Sequence, residues 1–233
     1  MIDIEICADS FETAITASKF GAKRIELCAN LNEGGTTPSF GIIQKCASLK
    51  TVEVHVMIRP RSGNFIYNND ELNIMARDIV AAAIAGAKGV VFGCLTNENK
   101  LDIPSTLFLV EAALKQKLKI TFHRAIDFIQ DYEKAIEDLI HIGVNRILTS
   151  GGKNSAFEGI EQLKKMVGLS NNRIEIMAGA GVNSSNASQL LKTGIHALHF
   201  TTRKKATSNS NLNMGSKFEV DEEKIQEILS AII

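Results

Sequence analysis

Thr121-Phe122-His123-Arg124-Ala125-Ile126-Asp127 places a histidine, an arginine and an aspartate at the end of a short β-type run. A histidine in such a place can move a proton, an arginine can hold an anion, and a nearby acid can orient the imidazole. Other runs carry a second chemistry. Ile4-Glu5-Ile6-Cys7, Ile25-Glu26-Leu27-Cys28 and Ile174-Glu175-Ile176-Met177 alternate acid and sulfur, and Val54-His55-Val56-Met57 has histidine in the acid's place. Side chains two apart on a strand share a face. Glu5, Cys7, Glu26, Cys28, His55, Met57 and Arg59 are therefore expected to face one interior. Buried glutamates need partners, and Arg59, Arg61 and Arg124 are the arginines at hand.

Two readings follow. In the first, Cys7 and Cys28 form a metal site on neighbouring strands, with Met57 and His123 on the same rim, and soft sulfur ligands suit Cu(I) better than Mg²⁺ or Ca²⁺. In the second, Glu26 or His123 moves a proton on a small anionic metabolite. Asp127 then orients the histidine while Arg59, Arg61 or Arg124 holds the anion. Thr149-Ser150-Gly151-Gly152 and Ala178-Gly179-Ala180-Gly181 add backbone N–H groups suited to a phosphate, with Ser150, Gly179 and Gly181 as the binding candidates. A plainer account makes the charges a structural plug and the sulfurs core filling. No strand ends in lysine, which argues against a Schiff-base aldolase, and neither a phosphate-binding P-loop nor H-E-x-x-H occurs.

Such residues converge only if their strands run parallel. Strand-like runs at Ile2–Cys7, Arg24–Cys28, Val52–Ile58, Gly89–Cys94, Lys119–Phe122, Arg146–Thr149, Arg173–Met177 and Ala197–Thr201 leave room for a helix between each pair. Gly21, Gly86, Gly143 and Gly194 each sit three residues before a run, where a helix would end in a left-handed cap. Ser155-Ala-Phe-Glu158 reads as a capping box, and Pro104 and Asp131 as helix starts. This alternation predicts a single-domain (β/α)₈ TIM barrel over residues 1–233, with a doubly wound open sheet as the rival. The loop from Arg59 to Asn69 is long enough for a lid. Residues 202–217 are polar and expected to be mobile, and Asp221 is expected to cap a closing helix over 221–233.

Composition narrows the partners. Among 233 residues, 26 Lys+Arg balance 26 Asp+Glu and Trp is absent, so neither a basic face nor a stacking platform for nucleic acid is expected. Acids near the N-terminus do not suit a signal peptide, and Lys88 interrupts the most apolar window, Ile79 to Leu95, so no membrane span is expected. The four cysteines include no C-x-x-C pair, which fits free thiols in a cytoplasmic protein.

Arg24-Ile25-Glu26-Leu27-Cys28, Glu33-Gly34-Gly35-Thr36-Thr37-Pro38-Ser39, Val56-Met57-Ile58-Arg59-Pro60-Arg61, Thr121-Phe122-His123-Arg124-Ala125 with Asp127, and Arg146-Ile147-Leu148-Thr149-Ser150-Gly151 resemble the CutC family of copper homeostasis proteins. The resemblance runs to about residue 200. It implies a TIM barrel, a cytoplasmic homo-oligomer, a role in copper handling, and Cu(I) ligation by Cys7 and Cys28. The chain departs from the family pattern at Ala180, inside a glycine-rich triplet, and at His199-Phe200-Thr201-Thr202-Arg203 in place of His-x-Ser-Ala-Arg.

Overall fold

In the computed structural model, residues 2–206, 216 and 218–232 are described. Strands β1 (Asp3–Ala8), β2 (Arg24–Leu27), β3 (Glu53–Met57), β4 (Gly89–Phe92), β5 (Lys119–Phe122), β6 (Arg146–Thr149), β7 (Glu175–Ala178) and β8 (Ala197–Thr201) close into a barrel in chain order. Every neighbouring pair is parallel, including β1 with β8. The closed (β/α)₈ barrel expected from the alternation is thus the architecture, and the rival open sheet is excluded.

Helices α1 (Phe11–Lys19), α2 (Phe40–Ala47), α3 (Asn69–Ile84), α4 (Ile103–Lys115), α5 (Tyr132–His141), α6 (Ile160–Ser170), α7 (Ala187–Leu191) and α8 (Glu222–Ser230) complete the alternation. Gly21, Gly86, Gly143 and Gly194 all have positive φ, as the helix-to-strand joints require. Ile6, Ile25, Val56, Phe92, Phe122 and Ile176 point outward from the strands and are fully buried beneath the helices. Each such side chain stabilises the fold by roughly 1.5–3 kcal/mol.

Two local expectations change. Ser155 and Glu158 do make the expected capping pair, with Ser155 Oγ accepting from Glu158 N at 3.2 Å, but α6 begins only at Ile160. The cause is a close backbone crossing: a Cβ on Gly159 would lie 1.9 Å from the Ser150 carbonyl oxygen, so the chain turns there before it can wind. Within the polar stretch 202–217, Arg203–Lys205 forms β9 and pairs antiparallel with β10 (Phe218–Val220), contrary to a wholly mobile segment. The expectation for 207–215 and 217 lies outside the described residues.

Candidate functional site

Strand parity and register build the site. Side chains from β1, β2 and β8 meet because Cys7 sits level with Glu26, while Glu5 sits level with both Arg24 and His199. Glu5, Arg24, His55, Thr121 and Arg146 fill the interior and are almost wholly buried. Arg24 Nε donates to Glu5 Oε2 at 3.0 Å, and Arg24 Nη1 pairs with Asp3 Oδ2 at 3.0 Å. Arg146 Nε donates to Glu175 Oε2 at 2.7 Å. Glu5 and Glu175 are therefore matched by Arg24 and Arg146 at strand starts, not by Arg59, Arg61 or Arg124, and Glu26 has no arginine partner among the described residues. An arginine at the start of a strand can lie on the interior face beside the acid of a neighbouring strand, which a search of strand ends overlooks.

Above this layer, Cys7 Sγ lies 3.5 Å from Glu26 Oε2, and His199 bridges the two glutamates, with Nδ1 3.0 Å from Glu5 Oε1 and Nε2 3.6 Å from Glu26 Oε2. Donor atoms of Cys7, Glu26 and His199 lie within 4.8 Å of one another. Cys7, Cys28 and Met57 pack together as one buried cluster with Val91, and Leu31 lies against it.

The protonation states of this cluster are displaced. Hydrogen bonding from the Cys28 thiol brings Cys7 down to about 5 against the cost of burial, with His199 helping. Burial raises Glu26 to about 8 against the pull of His199, and the charges on Cys7 and Glu5 add to the rise. One proton lies between Cys7 Sγ and Glu26 Oε2 across this contact. Burial disfavours the His199 cation, but Glu26, Cys7 and Glu5 outweigh it and raise its pKa well above the imidazole range. Hydrogen bonding and charge from His199 overcome burial and hold Glu5 far below the carboxylate range.

His123 stands on the opposite part of the rim. Its Nδ1 accepts from Ala125 N at 3.2 Å, so the ring proton lies on Nε2, and that atom is buried without a partner among the described residues. Burial and the nearby Arg59 guanidinium drop its pKa to about 3, so the ring is neutral. Two glycines on β4 and its continuation make room for imidazoles. A Cβ on Gly89 would lie 2.5 Å from His55, and one on Gly93 would lie 2.7 Å from His123.

A cavity of about 330 Å³ joins these groups; Cys7, Glu26, Cys28, Met57, His123 and His199 line it, and Phe65, Arg124, Gly181, Arg203 and Lys224 border it too. Residues 2–204 match the CutC family. The chain belongs to the CutC family. It is 45% identical over 212 residues to the family protein CutC of Aliivibrio fischeri, spanning 91% of this chain and 86% of that protein. It is 44% identical over 225 residues to the CutC protein of Bacteroides thetaiotaomicron, spanning 94% and 90%. A solved Streptococcus agalactiae structure bearing the name copper homeostasis protein CutC superposes with a TM-score of 0.81 at 40% identity, covering 85% of this chain and 98% of that one. A 3-hexulose-6-phosphate synthase superposes at 0.65 with 15% identity, a likeness of fold alone.

Several expected site residues of this CutC-family chain have other employment. Arg59 Nη1 donates to the carbonyls of Glu33 and Gly35, and Nη2 to that of Gly63, so it ties two loops together rather than reaching the cavity. Arg61 bonds to Glu71 at 2.5 Å and to the Ile66 carbonyl at 2.7 Å, pinning its loop to the start of α3. Between these two anchors, Phe65 covers His123 with ring centroids 4.6 Å apart, so the Arg59–Asn69 loop is a tethered cover. Asp127 does not touch His123. It accepts from Thr149 Oγ1, from the N–H groups of Ser150 and Gly152, and from Ser150 Oγ, and it pairs with Arg124 Nε at 2.9 Å. Its carboxylate latches the loop after β6, which consumes the Ser150 N–H proposed for a phosphate. Arg124 remains at the cavity edge while bonded to Asp127 and Ser150. Gly179 leaves room for Leu148 and His199, and Gly181 borders the cavity.

The residue overlooked as a site member is His199. A histidine two positions before Thr201 on the last strand carries the needed parity, but its partner Glu5 is 194 residues away, and only closure of β1 on β8 joins them.

Proposed function

We propose that this protein handles Cu(I) as a cytoplasmic copper homeostasis protein, with Cys7 as the principal ligand, Cys28 and Met57 as further sulfur donors and His199 beside them. The observation that carries the proposal is the packing of three sulfur side chains from β1–β3 into one buried cluster next to an imidazole. Soft sulfur donors suit Cu(I), the low pKa of Cys7 favours the thiolate that a metal needs, and the His199 cation beside it offsets that thiolate's charge. Glu26 is a hard oxygen donor already bonded through Oε2 to Cys7 Sγ, so it serves as the hydrogen-bond partner of Cys7 instead of a ligand. A homo-oligomer belongs to the same proposal on the family likeness alone. No described helix is long and apolar enough to cross a membrane.

The test is an anaerobic Cu(I) titration of the reduced protein against a tight competing chelator. Wild type is expected to bind stoichiometrically, and the Cys7→Ser/Cys28→Ser variant to lose at least a hundredfold in affinity while melting as a folded protein. Equal competition by both proteins would remove copper as a direct ligand.

One observation favours a second reading, acid–base catalysis on a small anionic metabolite. Glu26 Oε1 and His123 Nε2 are both buried without partners among the described residues, and both residues line a cavity far larger than one ion.

A further inference from the structure

Two unsatisfied polar atoms in one half-apolar cavity are costly unless a ligand completes them. Their chemistry differs in a useful way. His123 is fixed by the Ala125 N–H as a neutral ring with its proton on Nε2, so toward the cavity it can only donate. Glu26 Oε2 is occupied by Cys7 Sγ at 3.5 Å, which leaves Oε1, without a partner among the described residues, as an acceptor. Phe65 on His123, with Met57 and Leu148 on the walls, keeps the intervening space apolar. At the edge stands Lys224, half-buried, with no ion-pair partner among the described residues, and the Arg124 guanidinium borders the same cavity.

We infer that the cavity takes a small 2-hydroxy aldehyde or ketone with an anionic tail, whose carbonyl oxygen accepts from His123 Nε2–H while Glu26 removes the proton from the adjacent carbon. This inference rests on the acid–base reading and assigns its substrate class and its two roles. A neutral imidazole and a carboxylate lining one cavity are a pairing suited to enolisation, because the imidazole stabilises a developing oxyanion without first giving its own proton away. The C–H electron pair becomes the carbon–carbon double bond, and the carbonyl π pair moves to the oxygen held by His123. Glu26 then returns its proton to the neighbouring carbon, and the hydroxyl proton crosses between the two oxygens. The product is an isomer of the substrate, so no oxidant or reductant takes part. Lys224 and Arg124 hold the anionic tail at the mouth.

The experiment uses metal-free, reduced protein in D₂O with three probes: glyceraldehyde 3-phosphate, ribose 5-phosphate and fructose 6-phosphate. Thermal shifts report binding, and proton NMR reports deuterium entering next to the carbonyl. At least one probe is expected to raise the melting temperature and to exchange. Glu26→Gln is expected to slow exchange about a hundredfold or more while keeping the thermal shift. His123→Gln, which melts independently as a check on folding, is expected to slow exchange as well. A probe that stabilises the protein but never exchanges overturns proton abstraction and leaves a small-molecule site standing. Probes that neither bind nor exchange overturn both.

Discussion

Cys7 is the residue on which the readings converge, and its neighbours set its chemistry. The other cysteines go the opposite way: burial lifts Cys46 to about 11 and Cys94 to about 12, and the bond to Cys7 together with burial raises Cys28 further from reactivity. Iodoacetamide is therefore expected to label Cys7 first, as read by peptide mass. Its rate should stay nearly flat from about pH 6 to about pH 8, because the thiolate is already formed there. A rate climbing tenfold per pH unit over that interval would show an ordinary thiol. The sequence made Cys7, Cys28 and Glu26 legible, since alternation on a strand is a local signal. Arg24 was equally legible in principle, two residues before Glu26 and so on the same face. His199 with Glu5 was not, because no spacing rule relates residues joined only by barrel closure.

At the level of elements, each strand end is shaped by what its loop demands. Asp127 lies four residues after His123, and that proximity suggested an orienting acid. Instead the chain after β5 turns through a short 3₁₀ helix, Arg124–Phe128, and carries the carboxylate to the β6 loop. Sequence spacing gives distance along the chain, whereas the direction of a turn depends on hydrogen bonds made by another loop. Ala180, after β7, is a second case. It has φ +79 where glycine would be unstrained. Ala180→Gly removes a left-handed strain of about 1–2 kcal/mol but adds unfolded-chain freedom of about 0.4–1 kcal/mol. The expected outcome is a small net gain, from about 0 to about 1.6 kcal/mol, in urea unfolding. A loss of stability would mean that the methyl group makes contacts worth more than the strain.

Over the whole molecule, the interior ion pairs decide how stability responds to acid. Glu5 is wholly buried between Arg24 and His199. Glu5→Gln leaves both cations short of a counter-charge and is expected to cost about 3 kcal/mol in urea unfolding. The folded pKa of Glu5 lies below its ordinary 4.5, so its contribution is fully present above that value and is lost as pH falls below it. His199, raised above its ordinary 6.5, contributes fully below that value and loses its share as pH climbs through the folded pKa. Wild-type stability is thus expected to decline on the acid side below about pH 4.5, with Glu5→Gln showing a shallower decline. Parallel slopes for the two proteins would assign the acid sensitivity to other carboxylates.

The charged layer under the cavity has another consequence. Because Glu5, Arg24, His55, Thr121 and Arg146 fill the barrel, the space above them is a cul-de-sac. Among the described residues, traffic at the closed end is blocked, and an occupant must leave by the mouth before its successor arrives. Any handover to another molecule then takes place on the threshold, where Thr201, Arg203 and Lys224 stand.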